Sequence, residues 1–177
     1  MKETSALTDI KTIRQRARAH IENGAVTESY KADRKKVLQL LNEALATEIV
    51  CVLRYKCHYF MSSGINASQV AAEFLEHAQQ EQAHADQISE RIVQLGGKPN
   101  LSPEGLLGRS HAEYVEAEDL KGMIREDLVA ERIAIESYTE MVRYIGDDDP
   151  TTCRMLREIL AMEEKHADDL SEFLKVI

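Results

Sequence analysis

The 177-residue sequence predicts an all-α fold: a four-helix bundle with a long crossover between its second and third helices, and a short helix ahead of it. Three observations carry that prediction. Gly (8) and Pro (3) are scarce while Ala, Glu, Leu and Lys/Arg abound, a composition that favours helix. Apolar residues recur at spacings of three and four along the long stretches between Gly- and Pro-containing breaks. The pattern Glu-x-x-His occurs twice, at Glu81-Gln82-Ala83-His84 and Glu163-Glu164-Lys165-His166. Each copy follows another helical Glu, Glu48 by 33 residues and Glu131 by 32.

The elements follow in order. Leu7, Ile10, Ile13, Ala17 and Ile21 mark an amphipathic helix over residues 7–22, with Gly24 as its stop. Residues 24–32 read as a linker, so residues 1–32 form an extension and residues 33–177 the bundle. Asp33 caps a long helix that runs to about Ser62, where Ser62-Ser63-Gly64 ends it. Its apolar stripe is Val37, Leu41, Ala44, Leu45, Val52, Tyr55 and Tyr59. Asn66 or Ser68 opens the second helix, which ends near Leu95 at Gly96-Gly97-Lys98-Pro99. Residues 96–117 show no sustained period. A loop that long has a job inside a compact domain, here to cross the bundle and join two parallel helices. The third helix spans residues 118–144 and breaks at Gly146-Asp147-Asp148-Asp149-Pro150. Pro150 suits the first turn of a fourth helix that reaches about residue 175. The two halves share the Glu…Glu-x-x-His layout, as two related helical hairpins packed face to face would.

Composition excludes several classes. The length fits one domain with a sizeable core. No apolar run approaches the ~20 residues of a membrane span, and the N-terminus lacks the apolar core of a signal peptide. A soluble, cytoplasmic protein that touches no membrane is expected. Cys51, Cys57 and Cys153 are odd in number and form no CxxC, which argues against a disulfide framework or a zinc ribbon. Residues 1–36 hold nine Lys/Arg against five Asp/Glu, a charge of +4 within a chain of net −9. The acidic body suits metal cations. The basic arm is read as a docking segment or a solvated face in preference to a DNA contact.

Residues i and i+3 share one face of a helix, so Glu81 with His84, and Glu163 with His166, can each reach one point. Fe2+ or Mn2+ accepts such mixed carboxylate and imidazole ligands. Glu48 and Glu131 sit where core residues are expected, and four buried carboxylates without cations would be very costly. Four negative charges balance two divalent ions. Glu48, Glu81, His84, Glu131, Glu163 and His166 are therefore the candidate metal ligands. Metal-binding imidazoles usually pass their other N–H to a carboxylate, and Asp127, one turn before Glu131, is the candidate partner. Asp86 and Asp168 each follow a ligand His by two residues and so point elsewhere. Tyr55, two turns past Glu48, is either a hydrogen-bond donor or radical relay beside the metals, or a core tyrosine. His77, one turn before Glu81, is either an exposed helix histidine or a wall of an iron path.

Residues from about 37 to 177 resemble the ferritin-like superfamily, and bacterioferritin within it. The resemblance rests on Leu41-Asn42, Glu48, Tyr55, Glu81-Gln82-Ala83-His84-Ala85-Asp86, Arg91-Ile92, Gly97-Lys98-Pro99-Asn100-Leu101, Asp127-Leu128, Glu131 and Glu163-Glu164-Lys165-His166. It implies a ferroxidase centre within each subunit, holding two iron ions or substituting manganese or zinc. Glu81 and Glu163 would bridge the ions, and His84 and His166 would be terminal. Fe2+ would be the substrate and O2 or H2O2 the oxidant. Three departures matter. Gln82 stands where bacterioferritins carry a haem-ligating Met, so haem is not expected. The chain stops at Ile177, where a short fifth helix would begin, and about 30 residues precede the bundle. These last two features resemble Dps-like proteins and imply a 12-subunit homo-oligomeric cage with a bacterioferritin-type site. Some members of that hybrid class carry a cysteine pair near the site. Cys51 and Cys57 are candidates for it, although a small buried apolar role is preferred for Cys51. Glu73, Glu76 and Gln80 are either nucleation groups on the cage interior or solvated side chains. Two other readings remain: a non-cage di-metal enzyme (a rubrerythrin-like peroxidase, manganese catalase or oxygenase), and a DNA-binding protective protein.

Overall fold

The computed structural model describes residues 7–65 and 67–177, whose regular structure is helical with no strand. The helices are α1 (Ile10–Arg16), α2 (Arg34–Met61), α3 (Ala67–Gln94), α4 (Leu106–Arg109), α5 (Leu120–Ile145) and α6 (Pro150–Val176). α2, α5 and α6 each begin at the residue type a first turn needs. The Asp33 carboxylate accepts from the Lys36 N–H at 3.1 Å, and Asp119 accepts from Gly122 at 2.6 Å. Asp149 accepts from Thr152 at 3.0 Å, with Pro150 in the first turn of α6. Asn66, one of the two starts expected for α3, lies outside the described residues. Gly96, at φ +76°, turns the chain out of α3 in a left-handed conformation that a side chain would disfavour.

α2 packs on α3 and α5 on α6 as two hairpins, and α2–α5 and α3–α6 contacts join the hairpins. Residues 95–119 cross the bundle along α2. Asn42 accepts from the Asn100 N–H at 2.7 Å, Thr47 from the His111 N–H at 2.9 Å, and Arg54 donates to the Glu113 carbonyl at 2.7 Å. The crossover thus advances with α2, so α3 and α5 run parallel, as the length of that loop led us to expect.

The N-terminal helix departs from expectation. α1 has seven residues, not sixteen, and the chain turns at His20 with φ +51°. Ile10, Ile13 and Ile21 remain exposed at 57%, 45% and 77%. A helix of two turns with no buried face has little to sustain it, which explains the early end. The expected linker is better anchored than the helix. Val26, Tyr30 and Ala32 pack against the bundle core, and the Tyr30 hydroxyl donates to Asp149 at 3.0 Å.

Asp149 is the hub of that corner. It receives Arg91 Nη2 at 2.8 Å and the Thr152 hydroxyl at 2.6 Å, and Arg91 Nε donates to Thr152 at 2.7 Å. Asp149→Ala removes a cap and strands a buried guanidinium. We expect a loss of about 3–5 kcal/mol in chemical denaturation. Burial opposes ionisation of Asp149, yet the Thr152 bonds and the Arg91 charge hold its carboxyl below the usual range. Its contribution is therefore present above the unfolded value, about pH 4, and is lost as pH falls through the lower folded value. Wild type should lose more stability than Asp149→Ala on acidification below about pH 4.

Candidate metal centre

Two apolar clusters fill the bundle, and each long helix crosses from one to the other. On α2 the first cluster takes Val37, Leu41, Ala44 and Leu45, and the second takes Cys51 and Tyr55. On α3 they take Ala85, Ile88 and Ile92, and Val70, Phe74 and Ala78. Between them lies one polar layer, made of Glu48 from α2, Glu81 and His84 from α3, Glu131 from α5, and Glu163 and His166 from α6. All six are buried, none more than 6% exposed.

The layer resolves into two overlapping quartets. His84 Nδ1 lies 3.3 Å from Glu48, 3.4 Å from Glu81 Oε2 and 3.1 Å from Glu163 Oε1. His166 Nδ1 lies 3.2 Å from Glu81 Oε1, 3.2 Å from Glu163 Oε2 and 3.7 Å from Glu131. Glu81 and Glu163 thus turn one oxygen to each imidazole, while Glu48 serves only the first quartet and Glu131 only the second. Within each quartet the ligand atoms lie within 4.8 Å of one another. Both Nδ1 atoms, both Glu163 oxygens, Glu48 Oε2 and Glu81 Oε1 are buried without a hydrogen-bond partner. Such atoms are costly to leave unsatisfied, and here they converge.

Electrostatics point the same way. Burial, and then the charge of Glu81, push the Glu48 carboxyl well up. Burial, and then the charge of Glu48, push Glu163 to about 7. Burial would lower both imidazoles, but contacts with Glu163, Glu48 and Glu81 push His84 up to about 12. Contacts with Glu131, Glu163 and Glu81 do the same to His166. Without cations the layer must hold protons to balance its charge. Two divalent ions would replace them.

Around the layer the two halves mirror each other. The Tyr55 hydroxyl, on α2, donates to Glu131 on α5, and the Tyr138 hydroxyl, on α5, donates to Glu48 on α2. Each tyrosine lies seven residues past the Glu of its own helix. No motif of its own marks Tyr138, although the duplication that pairs Glu48 with Glu131 also pairs Tyr55 with Tyr138. The partner of His166 Nε2 is Gln80, at 2.5 Å, one residue before Glu81.

Asp127 is buried but does not support a ligand imidazole, contrary to the sequence reading. It accepts from Arg54 Nε and meets His58 Nδ1, both at 2.8 Å. A buried guanidinium on the neighbouring helix is the stronger claimant for its charge. His77 is 1% exposed, so of its two readings the exposed helix histidine does not hold. Its ring stacks on His166 at 4.0 Å between centroids, and its Nδ1 lies 3.2 Å from the Tyr55 hydroxyl. Gln82 is exposed and donates to Asp86 at 3.0 Å. Cys51, Cys57 and Cys153 are all free, and Cys51 and Cys153 are buried.

The family model for the ferritin-like domain matches residues 38–177. The chain belongs to the ferritin-like family. A bacterioferritin from Brucella melitensis biotype 1 is 34% identical to this ferritin-like chain over 146 residues, covering 80% of the chain and 84% of the relative. Among solved structures, the dodecameric thioferritin of Bacteroides fragilis, a bacterioferritin-related protein, is 33% identical. It superposes with a TM-score of 0.79, over 82% of this chain and 88% of that one. An archaeal Dps homologue from Halobacterium salinarum is 27% identical with a TM-score of 0.76, over 81% and 82%. No helix among the described residues is long and apolar enough to cross a membrane.

Proposed function

We propose that this ferritin-like protein is a ferroxidase that stores and detoxifies iron, oxidising Fe2+ with O2 or H2O2 at a two-metal centre inside each subunit. One observation carries the reading. Four carboxylates and two imidazoles, all buried, form two quartets that share Glu81 and Glu163, and every one of them but Glu131 has an inward atom without a hydrogen bond. Glu48, Glu81, His84 and Glu163 would hold one ion, and Glu81, Glu131, Glu163 and His166 the other. Bound iron supplies the electrons, passing from Fe2+ to Fe3+ as the oxidant is reduced. The chain supplies the rest. Tyr138 and Tyr55 orient the terminal carboxylates Glu48 and Glu131 through their hydroxyls. Gln80 fixes the ring of His166. The apolar clusters on either side keep bulk water from the layer. Asp127 braces the bundle rather than the ligands.

The likeness to a dodecameric bacterioferritin-related protein supports a 12-subunit shell. The bundle, residues 33–177, would form the cage unit, and the exposed Ile10, Ile13 and Ile21 would be covered by a neighbouring subunit rather than by DNA. Native mass spectrometry should give about 240 kDa, twelve times the 20.0 kDa chain. A mass near that of a dimer overturns the shell.

The activity is tested on metal-free protein, loaded anaerobically with Fe2+ and mixed with O2 or H2O2. Two Fe2+ per chain should oxidise in a fast phase absent from buffer, and purified protein should show no Soret band. Oxidation no faster than in buffer overturns the ferroxidase. Disproportionation of H2O2 without net iron oxidation points instead to a catalase-like di-metal enzyme.

A further inference from the structure

A second group of metal-binding side chains lies one step outside the buried layer. His77 Nε2 lies 3.3 Å from Glu73 on its own helix and 3.9 Å from Asp169 on α6. That nitrogen is buried and has no hydrogen-bond partner. The carboxylates of Glu73 and Asp169 are partly open to solvent, at 25% and 31%. They line a surface depression together with Gln69 and Glu172. The two helices are antiparallel, so Asp169, three residues past His166, and His77, four residues before Glu81, step away from the layer in the same direction.

His77 belongs to two ligand groups at once. Outward, a nitrogen of its ring lies within 4.8 Å of carboxylate oxygens of Glu73 and Asp169. Inward, the same measure joins it to Glu131 and His166, the terminal ligands of one quartet. A histidine with one face on a solvent-lined carboxylate pair and the other on a buried metal quartet is placed to pass a cation between them. Nothing in the two-metal chemistry itself requires Glu73 or Asp169.

We propose that Glu73, His77 and Asp169 form a third site, for a single divalent transition-metal cation, which loads the buried centre. Two carboxylates and one imidazole suit Fe2+, Mn2+, Co2+ or Zn2+. Lys165, which now donates to Asp169 at 2.5 Å, is exposed, and a cation arriving at Asp169 would displace it. The binding part of the proposal stands by itself. The loading part rests on the ferroxidase reading.

Redox-inert Co2+, titrated anaerobically into the metal-free full-length protein, separates the two. Wild type should bind three Co2+ per chain. Glu73→Gln with Asp169→Asn should bind two, and these partly exposed positions leave the core intact. A wild-type stoichiometry of two, or an unchanged count in the double variant, overturns the third site. Glu163→Gln is the control for the buried centre. If it leaves the count unchanged the centre is misassigned, whatever the double variant does. For loading, the double variant should need at least about tenfold more Fe2+ for half-maximal initial oxidation, with the saturating rate kept. An unchanged half-saturation overturns the loading role.

Discussion

Glu81→Ala and His166→Ala should each lose the fast phase of iron oxidation, by about 100-fold or more in stopped-flow absorbance. Their binding defects should differ. Glu81 offers one oxygen to each quartet, so its loss weakens both positions. His166 serves only the quartet with Glu131, so its loss leaves Glu48, Glu81, His84 and Glu163 able to hold one cation. Metal titration should therefore find about one ion bound tightly at the centre in His166→Ala and none in Glu81→Ala. Oxidation of both variants at the wild-type rate would remove the layer from the chemistry. The same geometry implies an opposite effect on stability. In metal-free protein Glu163 is raised to about 7 by burial and by the charge of Glu48, so it resists ionisation. Glu163→Gln removes that conflict and should raise the metal-free melting temperature by a few degrees. It should also cancel the gain that wild type draws from bound metal.

The elements legible in the sequence were those written as repeats. Val37, Leu41, Ala44 and Leu45 recur at helical spacing, and Asp33 and Pro150 mark helix starts chemically. Glu48, Glu81, His84, Glu131, Glu163 and His166 converge because the duplication places one set on each hairpin, where helical periodicity alone brings them to one level. Tyr138 is legible by the same logic, seven residues past Glu131 as Tyr55 is past Glu48. What remained hidden depends on the neighbouring helix. Nothing local to Asp127 distinguishes an imidazole partner from the guanidinium of Arg54, 73 residues earlier. The burial of His77 follows from its stacking on His166 across the α3–α6 contact, which no spacing within α3 could reveal. The N-terminal stripe of Leu7, Ile10, Ile13 and Ile21 has helical spacing, but the chain's own bundle does not bury Ile10, Ile13 and Ile21. Periodicity there signals an apolar face without saying what covers it.

Asp127→Ala should cost about 3–5 kcal/mol in denaturant unfolding while sparing the metal centre. The Arg54 guanidinium is 1% exposed and bonds Asp127, the Glu113 carbonyl and, more loosely, the Cys51 thiol at 3.8 Å. It ties α2 to α5 and to the last stretch of the crossover. Removing the carboxylate leaves a buried cation with no counter-charge, and leaves the His58 Nδ1 without its bond. The cost is chiefly that of the orphaned charge, not the net worth of the pair. Arg54→Met combined with Asp127→Leu should therefore recover more than half of the loss, because an apolar pair of similar bulk leaves no charge to solvate. If the double variant is no more stable than Asp127→Ala, the bond to the Glu113 carbonyl and the packing of the Arg54 stem dominate instead. The metal count separates this bracing role from the ligand-supporting role that spacing suggested. Asp127 bonds Arg54 and His58 and none of the six layer residues, so folded Asp127→Ala should still bind two ions at the centre. A folded variant that loses them would show that the carboxylate holds the layer through α5, by fixing Glu131 one turn further along.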